Sequence, residues 1–459
     1  MRRDFHNLEV DKKKILVVGL GISGLYTARL LSSRGAEVTV SEILPESDLD
    51  PEILNDLREL GITLETGGHK EETFLNAEMI IISPGVPHDT LFLNLSRKKN
   101  IPVIGELELA GRLIDIPMIA VTGTNGKSTV TSFFGCMLEN AGFSVFVGGN
   151  IGTPLTAYAA EGKKADYAVV EVSSFQLDTI ETFCPSVSVV LNLSPDHLDR
   201  YPDYETYVRS KLRIFENQGP GQYVILNDDD KRLCAVDVSS GATVLRYGTG
   251  KRQGRHAYIE DEKIQAFLDD DKPNTFSFES FGLPGAHNLE NLLPAVLVGM
   301  ALGINIPVIQ KTIDEFKGLP NRLEQVAEHD GVAFYNDSKA TNVDAAVRAV
   351  MSFEKPIILI AGGRHKGADY VALAKAAMGK VRKAVFLGEA KDLLASSFEG
   401  IVPFSIAKDM EEAVAISFES AKKGDAVLLA PACSSFDMFT DFSHRGREFK
   451  NAVLRVIHG

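Results

Sequence analysis

The sequence predicts an α/β protein of three domains: an N-terminal Rossmann-like module, a central mononucleotide-binding sheet with a phosphate loop, and a C-terminal Rossmann-like doubly wound sheet. Three observations carry this. KILVVGLGISGLYTARLL (14–31) places a glycine turn between an apolar strand and a helix, and IAVTGTNGKSTVTSFF (119–134) does so again with a lysine in the turn. From Leu319 onward, short apolar runs alternate with helical patterns, the mark of a doubly wound sheet. A chain of 459 residues exceeds what one core holds, and the boundaries read as 1–105, 106–318 and 319–459.

In the first module, Gly19, Gly21 and Gly24 match GxGxxG inside a strand–helix–strand unit. Glu42 follows about 20 residues on, where an acid accepts from a ribose hydroxyl. A further strand, AEMIIISPG, ends at Ser83 and offers a second backbone turn at the same sheet edge. Such a site takes a nucleotide, nicotinamide by default. Residues 100 to 117 read as a linker with a helix.

The second module begins at Met118. Gly123 and Gly126 let backbone N–H groups converge, the helix N-terminus adds positive potential, and Lys127 supplies a mobile cation. Thr124 and Asn125 complete the loop, and Ser128 or Thr129 presents a hydroxyl to Mg²⁺. The usual phosphate loop has glycine where this chain has Val121, so this is a tighter GxxGKS variant. Glu171 closes the strand YAVVEV, while Asn192 and His197 follow VSVVLNL. Ligands gather beyond the carboxyl ends of parallel strands, so these side chains are expected around the phosphates, with Glu171 as a hard-oxygen ligand for Mg²⁺. His197, between two aspartates, reads equally well as a bridge between surface charges, and Lys211, on a helix of mixed polarity, reads as solvent-facing. Strand QYVILNDDD precedes an irregular stretch from 236 to 282, then a long apolar helix with His287 and Asn288 at its mouth.

In the third module, strands VAFYNDS, PIILIAGG, KAVFLG, IVPFSI and AVLLAPACSS alternate with helices. Their ends carry Asp337, Lys339, Arg364, Lys366, Ser434 and Ser435, with Arg322 just before. Cations and hydroxyls at one edge suit a small anionic substrate.

Composition bounds the rest. A net charge of −14 argues against general nucleic-acid binding. MRRDFHNLEVDKKK carries charge where a signal peptide carries its apolar core, and no apolar run reaches the roughly 20 residues of a membrane span. A cytoplasmic location is the expectation. Cys136, Cys184, Cys234 and Cys433 lie far apart with no zinc-ligand spacing, and read as reduced and mostly buried. One module for a nucleotide-bearing substrate, one for ATP and magnesium and one for a small anion form the layout of an ATP-driven ligase, in which a carboxylate becomes an acyl phosphate before an amine attacks it.

GTNGKST (123–129), GGNIGTPL (148–155), EVSSFQL (171–177), NLSPDHLDRYP (192–202), GAHNLEN (285–291), LPNRLE (319–324), NDSKATN (336–342) and PACSSFDMFTDF (431–442) together resemble the Mur ligases, over the whole chain and in order. Within that family GLGISG, SPGVP and NDSKATN look most like the members that add D-glutamate to UDP-N-acetylmuramoyl-L-alanine in peptidoglycan precursor synthesis. The resemblance implies that Lys127 holds the β- and γ-phosphates, Ser128 and Glu171 one Mg²⁺, and His197 a second. It implies a carbamylated Lys211 as a further ligand of that second ion, replacing the solvent-facing reading. Ile22, Ser23, Glu42 and Ser83 would line a uridine diphosphate site, so the first glycine turn binds UDP and not NAD, with Asn150 on the sugar side. Asn288, Arg322 and Asp337 would hold the adenine nucleotide. Lys339, Thr341, Lys366, Ser435 and Phe442 would grip glutamate. The family usually has Asp at Glu42 and commonly His at Asn321. The implied enzyme is a monomer acting on small molecules, with neither nucleic acid nor membrane as partner.

The alternatives are a sibling ligase of other amino-acid specificity, L-glutamate included, a nicotinamide-dependent oxidoreductase, and a noncatalytic nucleotide-gated scaffold. The folyl-polyglutamate enzyme shares the ATP module but lacks a nucleotide-sugar module such as residues 1–105. An oxidoreductase needs a hydride site, and no clustered His, Lys or Tyr supplies one.

Overall fold

The computed structural model describes residues 8–458 apart from 163, 199, 269–271 and 284. The first seven residues of the charged N-terminal stretch thus lie outside the described part. Strands run in chain order as β1 (Lys14–Val18), β2 (Glu37–Ser41), β3 (Thr63–Glu65), β4 (Met79–Ile82) and β5 (Val103–Gly105). They continue as β6 (Met118–Thr122), β7 (Val145–Gly149), β8 (Tyr167–Glu171), β9 (Val187–Val190), β10 (Tyr223–Asn227), β11 (Thr243–Tyr247), β12 (Ala257–Glu260), β13 (Lys263–Ala266) and β14 (Asn274–Ser277). The last group is β15 (Glu324–His329), β16 (Val332–Asn336), β17 (Ile357–Gly362), β18 (Val381–Leu387), β19 (Phe404–Ile406) and β20 (Ala426–Leu429).

These strands form three sheets, ordered β3-β2-β1-β4-β5, β14-β13-β12-β11-β10-β9-β6-β8-β7 and β15-β16-β20-β17-β18-β19. Central strands such as β1, β6 and β17 are continuous runs of buried Ile, Leu, Val and Ala, which two-sided burial in a parallel sheet requires. The chain divides into two compact units, Met1–Thr275 with Leu293–Ile309 and Phe276–Leu292 with Gln310–Gly459. The first sheet lies in the first unit, as does the second apart from the end of β14, and β15 to β20 lie in the second.

Strand order locates the crevices. β1 pairs with β2 on one side and β4 on the other, so the turns after β1 and β4 open from the point where the winding reverses. β6 sits likewise between β8 and β9, which puts Gly123, Glu171 and Asn192 at one edge. In the third sheet β20 lies between β16 and β17, so the segments after all three are neighbours.

Three readings of the sequence need correction. The stretch 236–282 is not irregular throughout, since β11 to β14 extend the central sheet, with β12 and β13 an antiparallel hairpin. Its strands are only four or five residues long and are separated by charged, turn-rich segments, which hid their periodicity. Residues 324–329 form an edge strand antiparallel to β16, where the sequence showed only a lead-in. Of the four cysteines only Cys433 is buried, Cys136 and Cys184 are partly exposed and Cys234 is exposed, against the expectation of mostly buried thiols.

Candidate active site

Gly19 adopts φ +89°, and a Cβ there would come within 2.9 Å of Val86. At Gly24 a Cβ would meet the Gly19 carbonyl oxygen at 1.9 Å, so the helix packs against the turn only through glycine. Gly21, by contrast, has an ordinary φ of −72° and open space where a Cβ would stand. The Ser83 hydroxyl donates to the Gly19 carbonyl at 3.0 Å, tying the second turn to the first. Glu42 accepts from the Leu20 N–H at 2.6 Å and the Leu44 N–H at 3.0 Å, so its carboxylate shapes the turn besides facing the cleft.

That cleft has a volume of about 510 Å³. Ile22, Ser23, Glu42, Ser83 and Asn150 all line it, with Gln176 from the central module. The Ile22 side chain is 65% exposed, an apolar surface available to a flat ring.

The second glycine turn is clamped. Asn192 accepts from the Asn125 N–H at 2.9 Å and donates to the Asn125 carbonyl at 3.0 Å. The Thr124 hydroxyl lies 3.0 Å from the Tyr207 hydroxyl, and Gly126 enters the helix at φ +89°. Val121 stays inside β6, so the loop begins at Gly123, φ +143°, as the tighter variant requires. The Lys127 ammonium curls over the loop, donating to the Gly123 and Thr124 carbonyls at 3.0 and 2.9 Å. Ser128 donates to Glu171 at 2.5 Å, and the Asn150 amide donates to the other Glu171 oxygen at 2.9 Å. Thr129 is buried one residue further into the helix.

Lys211 corrects the reading from residues alone. It is 2% exposed, on the inner face of helix Tyr204–Leu212, one turn after Tyr207, whose ring centre lies 4.9 Å from the ammonium. Burial drives its pKa well below the ordinary lysine value and the Lys127 charge pushes the same way, against the pull of Asp196, Glu171 and Asp178. His197 sits at φ +55°, 3.8 Å from Asp196 and edge-on to Phe175 at 4.9 Å between ring centres. The Ser128 hydroxyl and the buried Glu171 carboxylate are oxygen donors that fit Mg²⁺, which takes one or two carboxylates plus substrate phosphates instead of a closed protein cage.

In the second unit, burial raises the Asp337 carboxyl to about 7, against the Arg322 charge and a hydrogen bond from the Leu323 N–H. Asn288 is buried beside His287, whose imidazole burial and the Arg348 and Arg322 charges depress to about 4. The Lys339 ammonium stands 3.8 Å from the centre of the Phe442 ring, and the Thr341 N–H donates to the Lys339 carbonyl. Lys366 is exposed and Ser435 buried. Their segments are joined where the Arg364 N–H donates to the Ser434 carbonyl at 2.8 Å. Sequence reasoning missed Arg445, buried and donating to Ser338 and the Cys433 carbonyl, because one arginine on a basic amphipathic helix gives no sign of facing inward.

A fold of three α/β domains with a phosphate loop, a paired hydroxyl and carboxylate and a buried lysine defines an ATP-dependent ligase. Family models match along the chain: the MurD-like N-terminal domain of Mur ligases over 13–105, the Mur ligase middle domain over 121–299 and the Mur ligase glutamate ligase domain over 321–433. The chain belongs to the Mur ligase family. It is 45% identical to the UDP-N-acetylmuramoylalanine--D-glutamate ligase of Desulfosudis oleivorans across 98% of both chains. It is 42% identical to the ligase of the same name from Koribacter versatilis, across 98% of this chain and 99% of that one. Among solved structures, the UDP-N-acetylmuramate-alanine ligase of Thermotoga maritima superposes with a TM-score of 0.60 at 19% identity, over 97% of this chain and 100% of that one. A pseudomurein peptide ligase type C from Methanothermus fervidus gives 0.62 at 20% identity, with the same coverage. Those two likenesses speak for the fold. Among the described residues no helix is long and apolar enough to cross a membrane.

Proposed function

We propose that this chain joins D-glutamate to UDP-N-acetylmuramoyl-L-alanine at the expense of ATP, through an acyl phosphate. Asn150 carries the reading: it lines the first cleft while its amide holds Glu171, which in turn holds Ser128 of the phosphate loop. A substrate whose nucleotide occupies that cleft has its far end directed toward the loop. The converging N–H groups of the loop and Lys127 stabilise charge on the transferring phosphoryl group. The substrate carboxylate then attacks the γ-phosphorus, ADP leaves, and the glutamate amine displaces phosphate from the acyl carbon.

Mg²⁺, when bound, neutralises phosphate charge; Ser128 and Glu171 would hold one ion and His197 with a carbamylated Lys211 a second. A carbamate on Lys211 is supported by its burial, since a neutral amine is nucleophilic toward CO₂ and loses a proton as the N–C bond forms. Among the described residues, no hydrogen bond or ion pair occupies that ammonium. The resemblance assigns Asn288, Arg322 and Asp337 to the adenine nucleotide, and Lys339, Thr341, Lys366, Ser435 and Phe442 to glutamate. Ile22, Ser23, Glu42 and Ser83 take the uridine diphosphate. The enzyme works as a cytoplasmic monomer, in the compartment that holds ATP and nucleotide sugars.

The test is ADP release with UDP-N-acetylmuramoyl-L-alanine and a panel of amino acids including both glutamate enantiomers. D-glutamate is the expected substrate. Release with L-glutamate, L-alanine or a diamino acid and not with D-glutamate overturns the assignment.

A further inference from the structure

We propose that Glu106 is a positioning residue for the nucleotide-sugar cleft, holding the central-module wall of that cleft through hydrogen bonds to Gln176 and Thr156; this rests on the cleft being the UDP-sugar site. Glu106 opens helix Glu106–Leu113, directly after β5, and is 1% exposed. Gln176 Nε2 donates to one carboxyl oxygen at 2.9 Å and the Thr156 hydroxyl to the other at 3.4 Å. Both partners are themselves buried.

What those partners support is the point. Gln176 lines the cleft and accepts from the Ser173 N–H and hydroxyl at 2.9 and 2.8 Å, closing the turn that follows Glu171. Thr156 lies on helix Leu155–Glu161, which starts just after Gly149, Asn150, Gly152 and Pro154 of the cleft wall. One carboxyl group at the start of the central module therefore grips the helix that carries Gln176 and the helix that follows the Gly149–Pro154 wall segment.

Glu108, two residues on, is the contrast. Its carboxylate accepts from the Glu181, Thr182 and Phe183 N–H groups and pairs with Arg112. Glu108 fastens the helix to the 181–183 segment ahead of β9 and is not among the residues lining the cleft. Fastening is thus already provided, and Glu106 adds a buried acid served by the Gln176 and Thr156 side chains and the Thr156 backbone, with its pKa still pushed up by burial to about 7. A buried acid of that kind costs stability. Its return is the fixed cleft wall.

The experiment measures KM for UDP-N-acetylmuramoyl-L-alanine, ATP and D-glutamate in the full-length enzyme. Glu106→Leu leaves the Gln176 amide without its acceptor and raises the nucleotide-sugar KM about tenfold. The other two constants stay within about twofold. Glu106→Gln keeps an acceptor for Gln176 and a partner for Thr156, and holds all three within about twofold. An unchanged nucleotide-sugar KM in Glu106→Leu, an equal rise in all three constants, or a Glu106→Gln as impaired as Glu106→Leu overturns the proposal. Should Glu106→Leu fail to fold, Thr156→Val removes the weaker bond at constant shape and raises the same constant about fivefold; a value within about twofold of wild type overturns it equally. Gly21→Tyr separates this from the cleft reading, because a side chain at that open position fills the cleft without backbone strain. If Gly21→Tyr raises the nucleotide-sugar KM and Glu106→Leu does not, the positioning role falls and the cleft stands. If Gly21→Tyr leaves it unchanged, the cleft reading falls and takes the positioning role with it.

Discussion

The two glycine turns after β1 and β6 share one backbone device and differ in what surrounds it. Around Gly19–Gly24 the neighbouring strands contribute Glu42 and Ser83, both bonded to the turn's own backbone, and the residues described as lining the cleft include neither lysine nor arginine. Around Gly123–Lys127 they contribute Glu171 and Asn192, helix Tyr204–Leu212 adds the buried Lys211, and Lys127 stands inside the turn itself. In the proposed function the first surroundings hold a nucleotide and leave it intact. The second concentrate mobile and neutralising charge where a phosphoryl group moves. A glycine pattern therefore specifies that phosphate is held, and the ends of adjacent strands decide whether it is transferred.

Lys127→Ala breaks the comparison hardest. It should lower kcat by about 10³-fold or more in an ADP-release assay, while equilibrium binding of the nucleotide sugar is preserved. Lys211→Ala should be nearly as inactive but recover in part when short carboxylic acids are added; full activity without them would remove the carbamate from the account. Lys366→Ala, outside both turns, should raise the D-glutamate KM by about tenfold or more, the scale of a lost charged hydrogen bond, and leave that of ATP within about twofold. An unchanged glutamate KM would relocate that site.

The smallest effect is a pH dependence of stability. Glu106 titrates at about 7 in the folded chain against 4.5 ordinarily, so between those values the folded form binds more protons than the unfolded one. Stability is thus greatest below pH 4.5 for this group and falls as pH rises through 7, by a share on the order of 3 kcal/mol. Asp337, raised from 3.8 to about 7, acts in the same sense. Urea unfolding at pH 5 and pH 8 should show a shallower decline in Glu106→Gln than in wild type.

What could be read beforehand was whatever local pattern encodes. The glycine turns, the strands of the parallel sheets and the donors at their ends are local, and the structure brings Ser128, Glu171 and Asn150 into contact. Lys211 escaped a reading from its own helix because the charged groups around it, Lys127, Glu171, Asp178 and Asp196, come from other segments of the chain. Glu106 escaped for a similar reason, since an acid at a helix N-terminus looks solvated until Gln176 and Thr156 are known to cover it. Strands β11 to β14 were hidden because each is only four or five residues long and the segments between them are charged and turn-rich.

The division of labour between the turns is tested most directly by titrating Gly21→Tyr and Lys127→Ala, in a calorimeter, with UDP-N-acetylmuramoyl-L-alanine and with a nonhydrolysable ATP analogue plus Mg²⁺. Gly21→Tyr should lose the nucleotide sugar and keep the ATP analogue, and Lys127→Ala should do the reverse. Loss of both ligands by either variant, or the opposite pairing, would contradict it.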